Sequence, residues 1–353
     1  MKPTILSKSC NPDAAIVVDQ ACAFFERLPS FTLAKLLCKQ HPGLWRNIDA
    51  CRSAIRVRRG RMGEAHLTKI GAGGSFPSTA PSEQINPWLL PKSQAEPWKP
   101  LHVTVDRDTK TGILCDLQIP YHDNPAIVCG LNRFKKEEVG IIIINGDFLD
   151  FYQLSKFDKD PRRFSAAKEI KMGNQVLDAI DSAFPKARKI FKVANHEERL
   201  DRYLWMMAAQ NETMKDILDD LLNHYLESDK GLKLDSRGWE TVRDRQIILL
   251  GRLPVLHGHE FPYTGDSVNP ARTLFLKTVS NGIMGDRHRT SEHVERTLAD
   301  KVISCWSIGC LCGLHPFWMP VNKWNHGFAV VEIDKAGSYQ VTNIRVYNGK
   351  AFN

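Results

Sequence analysis

Five places in this chain set carboxylates, imidazoles or side-chain amides directly after a short apolar run. They are Asp116-Leu117-Gln118, Gly146-Asp147 with Asp150 one short turn on, Asn195-His196-Glu197, His257-Gly258 and Gly285-Asp286-Arg287-His288. Oxygen and imidazole donors of these types are the ligands that divalent cations accept. The second place follows Ile141–Ile144, four β-branched residues in a row, which suits a strand buried on both faces of a sheet. Asn145-Gly146 ends that run. A carboxylate at the carboxyl end of a buried strand stands where open α/β sheets hold their ligands. Any one of these strand ends reads equally well as a loop in which the acid forms a turn or caps a helix. Five in succession form a specific signal.

The elements that must position these residues have an α/β rhythm from residue 101 onward. Leu101–Val105, Gly112–Cys115, Ile141–Ile144, Lys189–Val193, Gln246–Leu250, Val255-Leu256, Asn281–Met284, Phe328–Ile333 and Gln340–Tyr347 read as strands. Phe164–Phe184, Leu200–Leu226 and Pro270–Thr278 read as helices, with Gly173 weakening the middle of the first.

A chain of 353 residues accommodates one large domain and a small one. Its hydrophobic content of 42% and charged content of 25% are those of an ordinary globular protein. No apolar run approaches the ~20 residues that cross a bilayer. Asn11, Pro12 and Asp13 interrupt the N-terminus where a signal peptide would carry its apolar core. The expectation is a cytoplasmic protein with no membrane partner. The nine cysteines include no Cys-x-x-Cys pair, and free buried thiols are expected of them. Cys310-Leu311-Cys312 is the one close pair.

The net charge of +8 is concentrated at one end: residues 1–70 hold 12 Lys/Arg and 5 Asp/Glu, a surplus of seven. Asn11-Pro12 starts a helix with Ile16, Val17, Ala21, Phe24 and Phe25 on its apolar face, and Leu33, Leu36 and Leu37 mark a second helix. Asn47 caps a third, with Ile48, Cys51 and Ile55 facing inward and Arg52, Arg56 and Arg59 on another face. Arg58 and Arg61 add to that cluster. Short helices ending in an Arg-rich one resemble a helix-turn-helix, so DNA or RNA is the expected partner of Arg52, Arg56, Arg58, Arg59 and Arg61. The alternative is a helical hairpin whose solvated basic face docks on its own catalytic domain. Residues 71–99, rich in Gly, Pro and Ser, read as a linker, which gives a helical module at 1–70 and a larger domain at 100–353.

Taken in order, the five strand ends resemble the motif series of calcineurin-like metallophosphoesterases: DxH, GDxxD, GNHE, HG and GHxH. The resemblance covers about residues 101–335. It is strongest in Gly146–Asp150 and in Asn195-His196-Glu197-Glu198-Arg199. Trp324-Asn325-His326-Gly327-Phe328 and the stretch Asp116–Asp123 look like versions of the domain encoded by bacteriophages, for which the compartment would be the host cytoplasm. The resemblance implies a four-layer α/β/β/α sandwich with a dinuclear metal centre. Position by position, it implies that Asp116 and His288, with Gln118 beside them, hold the first cation. Asp147 bridges the two, and Asn195, His257 and Asp286 complete the second. His196 is implied as the general acid facing the leaving oxygen, with Asp150 accepting its other ring N–H. Two cations ~3.5–4 Å apart would clamp the phosphoryl oxygens and hold a bridging hydroxide for in-line attack. Arg199, Arg287 and Arg289 are expected to meet substrate phosphate; for Arg287 and Arg289 the alternative is a solvated loop charge.

The chain departs from the family at two ligands, since the family has His at the positions of Gln118 and Asp286. Oxygen in place of nitrogen moves preference from zinc toward manganese, with magnesium and iron also compatible. The alternative is a decayed site with one weak cation. A third carboxylate also leaves the centre formally neutral, where the usual set carries one positive charge. That disfavours a phosphomonoester dianion relative to a diester monoanion. His122, His259 and His293 lie near the motifs and read as surface or supporting histidines. Gly71–Gly74 lacks the Lys-Ser/Thr of a phosphate loop, and Trp306, Trp318 and Trp324 read as packing residues. The expected activity is metal-dependent hydrolysis of phosphodiester bonds, of nucleic acid or nucleotides. The competing readings are a phosphomonoesterase acting on protein or nucleotide, and a DNA-binding regulator with a catalytically dead domain.

Overall fold

The computed structural model describes residues 12–25, 28–59, 91, 93–95, 98–156, 159–160, 162–163, 165–210, 225–227, 230–262 and 267–352. The chain divides into two compact units, Met1–Lys92 and Ser93–Asn353. Arg61 and nearly all of the expected linker lie outside the described residues.

In the first unit, helices α1 (Pro12–Phe24), α2 (Ser30–Gln40) and α3 (Ile48–Arg58) enclose a small core. Val18, Ala21, Leu33, Ala34, Leu37, Cys51 and Ile55 fill it. The Asn47 side chain caps α3 by accepting from Ala50 N at 2.8 Å. The sequence places Ile16, Val17, Ala21, Phe24 and Phe25 on the apolar face of α1, and the structure corrects that face, with Phe25 exposed too. In the structure Ala14, Val18 and Ala21 turn inward, while Ile16 and Phe24 are exposed. Ile48, expected inside, is exposed as well. Residues 41–47 join α2 to α3, longer than the 3–4-residue turn of a helix-turn-helix.

The second unit is a four-layer α/β/β/α sandwich. One sheet contains β2 (Thr109–Leu114), β3 (Ile141–Ile144), β4 (Arg188–Lys192), β5 (Glu240–Val242), β11 (His326–Ile333), β12 (Tyr339–Tyr347) and β13 (Lys350–Phe352), in the order β13-β12-β11-β2-β3-β4-β5. The other contains β1 (Leu101–Val103), β6 (Ile248–Leu250), β7 (Leu253–Leu256), β8 (Gly282–Met284), β9 (Ser291–Arg296) and β10 (Val302–Ser307), in the order β1-β6-β7-β8-β10-β9. Strands β2, β3 and β4 run parallel, as do β7 and β8.

The alternation of β3 assigns the layers. Ile141 and Ile143 pack with Val103, Ile248, Val255 and Ile283 of the other sheet. Ile142 and Ile144 face the opposite way, into a core shared with helices α4 (Asn124–Lys136) and α5 (Ala166–Ala183). The outer face of the second sheet is covered by α7 (Pro270–Thr278), through Ala271 and Leu274 against Leu256, Met284 and Cys305. Helix α6 (Glu198–Ala209) follows the β4 strand end. Sequence reading passes over α4, although Asp123 caps it through Ala126 N at 2.8 Å and a proline stands in its first turn. It also passes over β5, β9, β10 and β13, whose apolar signal is short or absent. No helix among the described residues is long and apolar enough to cross a membrane.

Candidate metal centre

Every expected ligand lies just past the carboxyl end of a strand. Asp116 and Gln118 follow β2, Asp147 follows β3 and Asn195 follows β4, while His257 follows β7 and Asp286 and His288 follow β8. Parallel strands bring these ends together within each sheet, and the two sheets converge there. Asp116, Asp147 and His257, all buried, present ligand atoms within 4.8 Å of one another. The backbone bends sharply to make this possible. Asp116, Gln118, Asp147, Asp286 and His288 all adopt positive φ, between 49° and 62°. Non-glycine residues adopt this region at a cost, and such strain concentrates at functional sites. Gly146 (φ 89°) allows the turn before Asp147, since a Cβ there would lie 2.7 Å from His257 Nδ1.

The first set closes around His288 Nε2. Asp116 Oδ1 lies 3.2 Å from it and the Gln118 side-chain amide nitrogen 3.2 Å. The second set closes around Asp147 Oδ2, with His257 Nε2 at 3.4 Å and the Asn195 amide nitrogen at 3.3 Å. Asp286 Oδ1 lies 3.8 Å from His257 Nε2. Asp147 belongs to the second set and also clusters with Asp116 of the first, their ligand atoms lying within 4.8 Å.

The donor chemistry fits cations. Asp116 Oδ1, Asn195 Oδ1 and His257 Nε2 are buried with no hydrogen-bond partner, a costly condition unless something else meets them. His257 Nδ1 lies 2.7 Å from the Asn145 carbonyl oxygen, so it donates there and leaves the Nε2 lone pair aimed at Asp147. Burial alone would raise the Asp147 carboxyl, but the neighbouring His196 and His257 hold it far below the usual carboxylate range. Burial would lower the basicity of His257 and His288. The facing carboxylates of Asp147 and Asp116 raise it instead, so a cation competes with protons for both rings.

His196 borders the second set, with its Nε2 3.6 Å from Asp147 Oδ2. Its Nδ1 lies 3.2 Å from Asp150 Oδ1, without hydrogen-bond alignment. Arg199 locks the pair: Nη1 donates to the Asp150 carbonyl oxygen at 2.6 Å, and Nη2 to His196 Nε2 at 2.8 Å. His196 thus meets a guanidinium at the nitrogen that would carry an acidic proton.

Two buried glutamates shape the loops, and sequence reading gives neither a role. Glu197 accepts from Asp147 N at 3.1 Å, Leu149 N at 2.9 Å and Ala194 N at 3.0 Å, pinning two motif loops to each other. Burial and the Asp147 charge push its carboxyl up to about 7. Glu260 accepts from His257 N at 2.9 Å and Gly258 N at 2.6 Å, and pairs at 3.0 Å with the fully buried Lys192. An acid inside His257-Gly258-His259-Glu260 was the available signal. Gly173 also has a reason here: a Cβ would lie 2.9 Å from Leu149, so α5 packs closely on the loop that carries Asp147.

Other expected site residues fall into place differently. Arg199 and Arg287 line an open groove at the metal centre, and Arg287 Nε lies 3.4 Å from Asp286 Oδ2. Arg289 is buried and does not line that groove. Among the described residues His122, His259 and His293 join no ligand cluster. His259 instead bonds Glu198 at 3.1 Å. Cys310 and Cys312 are free thiols that cluster with His288, Cys312 Sγ lying 3.8 Å from its Nδ1. In the helical unit Arg59 donates to the carbonyl oxygens of Phe25 and Leu28, each at 2.6 Å, and so staples the bundle. Its guanidinium is committed to backbone, which corrects its place in a phosphate-facing row. Arg58 pairs with Asp19 at 2.6 Å, Arg52 lies 5.3 Å over the Phe31 ring, and Arg56 is half-buried.

No family model matches this chain, and no curated protein matches it. Among solved structures it is similar to vacuolar protein sorting 29 from Cryptosporidium parvum, at 10% identity and a TM-score of 0.36, covering 70% of this chain and 96% of that one. It is also similar to YfcE, a phosphoesterase from E. coli, at 14% identity and a TM-score of 0.31, covering 66% of this chain and 98% of that one.

Proposed function

We propose that this protein is a metal-dependent phosphodiesterase with a two-cation centre at Asp116, Gln118, Asp147, Asn195, His257, Asp286 and His288. The supporting observation is the convergence of Asp116, Asp147 and His257 from two sheets, with Asp116 Oδ1 and His257 Nε2 buried and without an aligned hydrogen bond among the described residues. Bound there, divalent cations, manganese foremost, supply Lewis acidity to the phosphoryl oxygens and acidify the attacking water. The protein's own residues do the rest. Asp147, whose Oδ2 faces His257 and Asn195 while Oδ1 accepts from His196 N, would be the carboxylate between the two cations. His196 holds the proton for the leaving oxygen, and Asp150 fixes the ring from its Nδ1 side. Arg199 must yield His196 Nε2 as substrate enters, and it then faces the phosphate together with Arg287. Nucleic acid or nucleotides are the proposed substrates.

The test is to chelate the protein, reload it with manganese or zinc, and measure bound metal and hydrolysis of bis-nitrophenyl phosphate. The expected result is two equivalents bound, and more activity with manganese than with zinc. Asp147→Asn is expected to remove metal and activity together. A variant that keeps both would overturn the assignment.

A further inference from the structure

We infer that the metal centre is the midpoint of an extended site for single-stranded nucleic acid, with phosphate subsites in a basic groove on one side and a base-stacking shelf on the other. This rests on the phosphodiesterase reading and names its substrate class.

The groove, about 930 Å³, reaches the metal centre at Asn195 and Asp286. That is the upper end of the ~300–1,000 Å³ range of small-ligand pockets. Beyond Arg199 and Arg287 its walls carry Lys156, Lys159, Arg202 and Arg245. Among the described residues Asp286 is the only carboxylate in its lining. Glu198 offsets part of this charge from behind, by pairing with Arg202 and lying 3.7 Å from Arg245. A surplus of cations remains. One diester carries one negative charge, which the centre with Arg199 and Arg287 already answers. Cations ranged further out suit further phosphates of the same chain.

The shelf reaches the centre from the other set of ligands. Residues 313–324 form a loop whose two feet are bonded to ligand-bearing backbone: Leu311 N donates to the Asp116 carbonyl oxygen at 3.0 Å, and Asn325 N to that of His288 at 2.9 Å. Trp324 packs on the His288 ring with centroids 4.1 Å apart. At the loop's far side Phe317 and Trp318 are 50% and 43% exposed, which is unusual for aromatics held in a fixed geometry. Trp318 stacks on Tyr152 (6.5 Å, 26°) and meets the edge of Tyr121 (5.9 Å), while the Arg163 guanidinium lies 3.6 Å over Phe317. Tyr121 comes three residues after Gln118, and Tyr152 two after Asp150. The turn Tyr152–Leu154 then leads directly into the groove wall at Leu154 and Lys156. Shelf, metal centre and groove are therefore contiguous. A stacking face is of use only to an unpaired base, because a duplex presents its phosphates and keeps its bases stacked inside. Aromatic faces beside a basic track are the means by which single strands are held.

The experiment uses the full-length protein with labelled single-stranded DNA and RNA of ~4 to 16 nucleotides and matching duplexes. Binding is followed by anisotropy in chelator, and hydrolysis in manganese. Single strands are expected to bind more tightly than duplexes and more weakly as salt rises. The triple variant Lys156→Gln, Lys159→Gln, Arg245→Gln is expected to lose ~10-fold or more in oligonucleotide kcat/KM and to flatten the salt slope by ~0.7 for each phosphate no longer neutralised. Its hydrolysis of bis-nitrophenyl phosphate should not change. Trp318→Ala is expected to weaken single-strand binding ~5- to 100-fold, with Trp318→Tyr restoring most of it. All variants retain the basic N-terminal unit, so these differences belong to the groove and shelf. Unchanged oligonucleotide binding in both variants, or duplex binding tighter than single-strand binding and indifferent to Trp318, overturns the inference while leaving diester hydrolysis standing. Failure to hydrolyse any diester overturns the phosphodiesterase reading instead, and the anisotropy still reports on the groove.

Discussion

Asp286 places a third carboxylate at the centre, its Oδ1 3.8 Å from His257 Nε2 and its Oδ2 3.4 Å from Arg287. Each carboxylate removes one unit of positive charge that a dianionic substrate would need. The wild-type protein with manganese is therefore expected to show higher kcat/KM for bis-nitrophenyl phosphate than for nitrophenyl phosphate, and Asp286→His is expected to narrow the gap. An unchanged ratio in that variant, or a wild-type preference for the monoester, would show the charge account to be wrong. His196 tests a different role. Its Nε2 lies 3.6 Å from Asp147 Oδ2 but is met by Arg199 at 2.8 Å. With the ring as a proton donor and not a ligand, His196→Ala is expected to retain two metal equivalents while losing ~10²–10⁴-fold in turnover, and less on good leaving groups such as nitrophenol. Loss of one equivalent would make it a ligand. Their place after apolar strands was legible from the sequence, while their roles were implied by the family resemblance. Trp318 was not legible in this way. An isolated Trp in a loop is indistinguishable from packing until its neighbours are known, and here they are Tyr152 and Tyr121, from two other strand ends.

Loops carry the ligands, and buried acids carry the loops. Lys192 and Glu260 form one such support, with the lysine fully buried and the acid, against the upward push of burial, held at about 2 chiefly by that lysine. Removing one partner of a buried pair strands the other. Lys192→Met is therefore expected to lower unfolding free energy by ~3–5 kcal/mol in urea titration, and to weaken metal binding through the displaced His257 loop. A loss below ~1 kcal/mol would mean that water already reaches Glu260. Such supports escape sequence reading for a physical reason. Lys192 sits in a strand that reads as apolar with charged ends, and only the three-dimensional crossing of β4 with the β7 loop turns it inward. The strands themselves were readable where they were β-branched and continuous, as at Ile141–Ile144. They were missed at edges of mixed polarity, as at Ser291–Arg296, and at the interior strand Val302–Ser307, where Ser304 interrupts the apolar run.

Both units carry basic side chains, the first on Ile48–Arg58 and the second along the groove. Removing residues 1–92 is expected to leave hydrolysis of bis-nitrophenyl phosphate intact and to weaken nucleic-acid binding at low salt. Unchanged affinity would favour a bundle that serves only its own chain. Replacing Arg59 is expected to loosen the bundle, since its guanidinium holds the Phe25 and Leu28 carbonyls, whereas replacing Arg52 and Arg56 tests their engagement of phosphate. Within the larger unit, each proposed cation set would take ligands from both sheets. Asp116, Gln118, Asp147 and Asn195 come from one sheet, and His257, Asp286 and His288 from the other. The proposed metal centre would thus also be a rivet through two plates that meet chiefly through oily side chains, with polar ties such as Lys192–Glu260 and Asn343–Ser307. At a free concentration ~1,000-fold above Kd, such a ligand adds about 4.1 kcal/mol to stability. Chelation is expected to lower the melting temperature and to speed amide exchange first at the carboxyl ends of β2, β3, β7 and β8. An unchanged exchange pattern at those ends would show that the sheets need no fastening. If they do, scarcity of manganese would shorten the life of the protein itself as well as halt its chemistry.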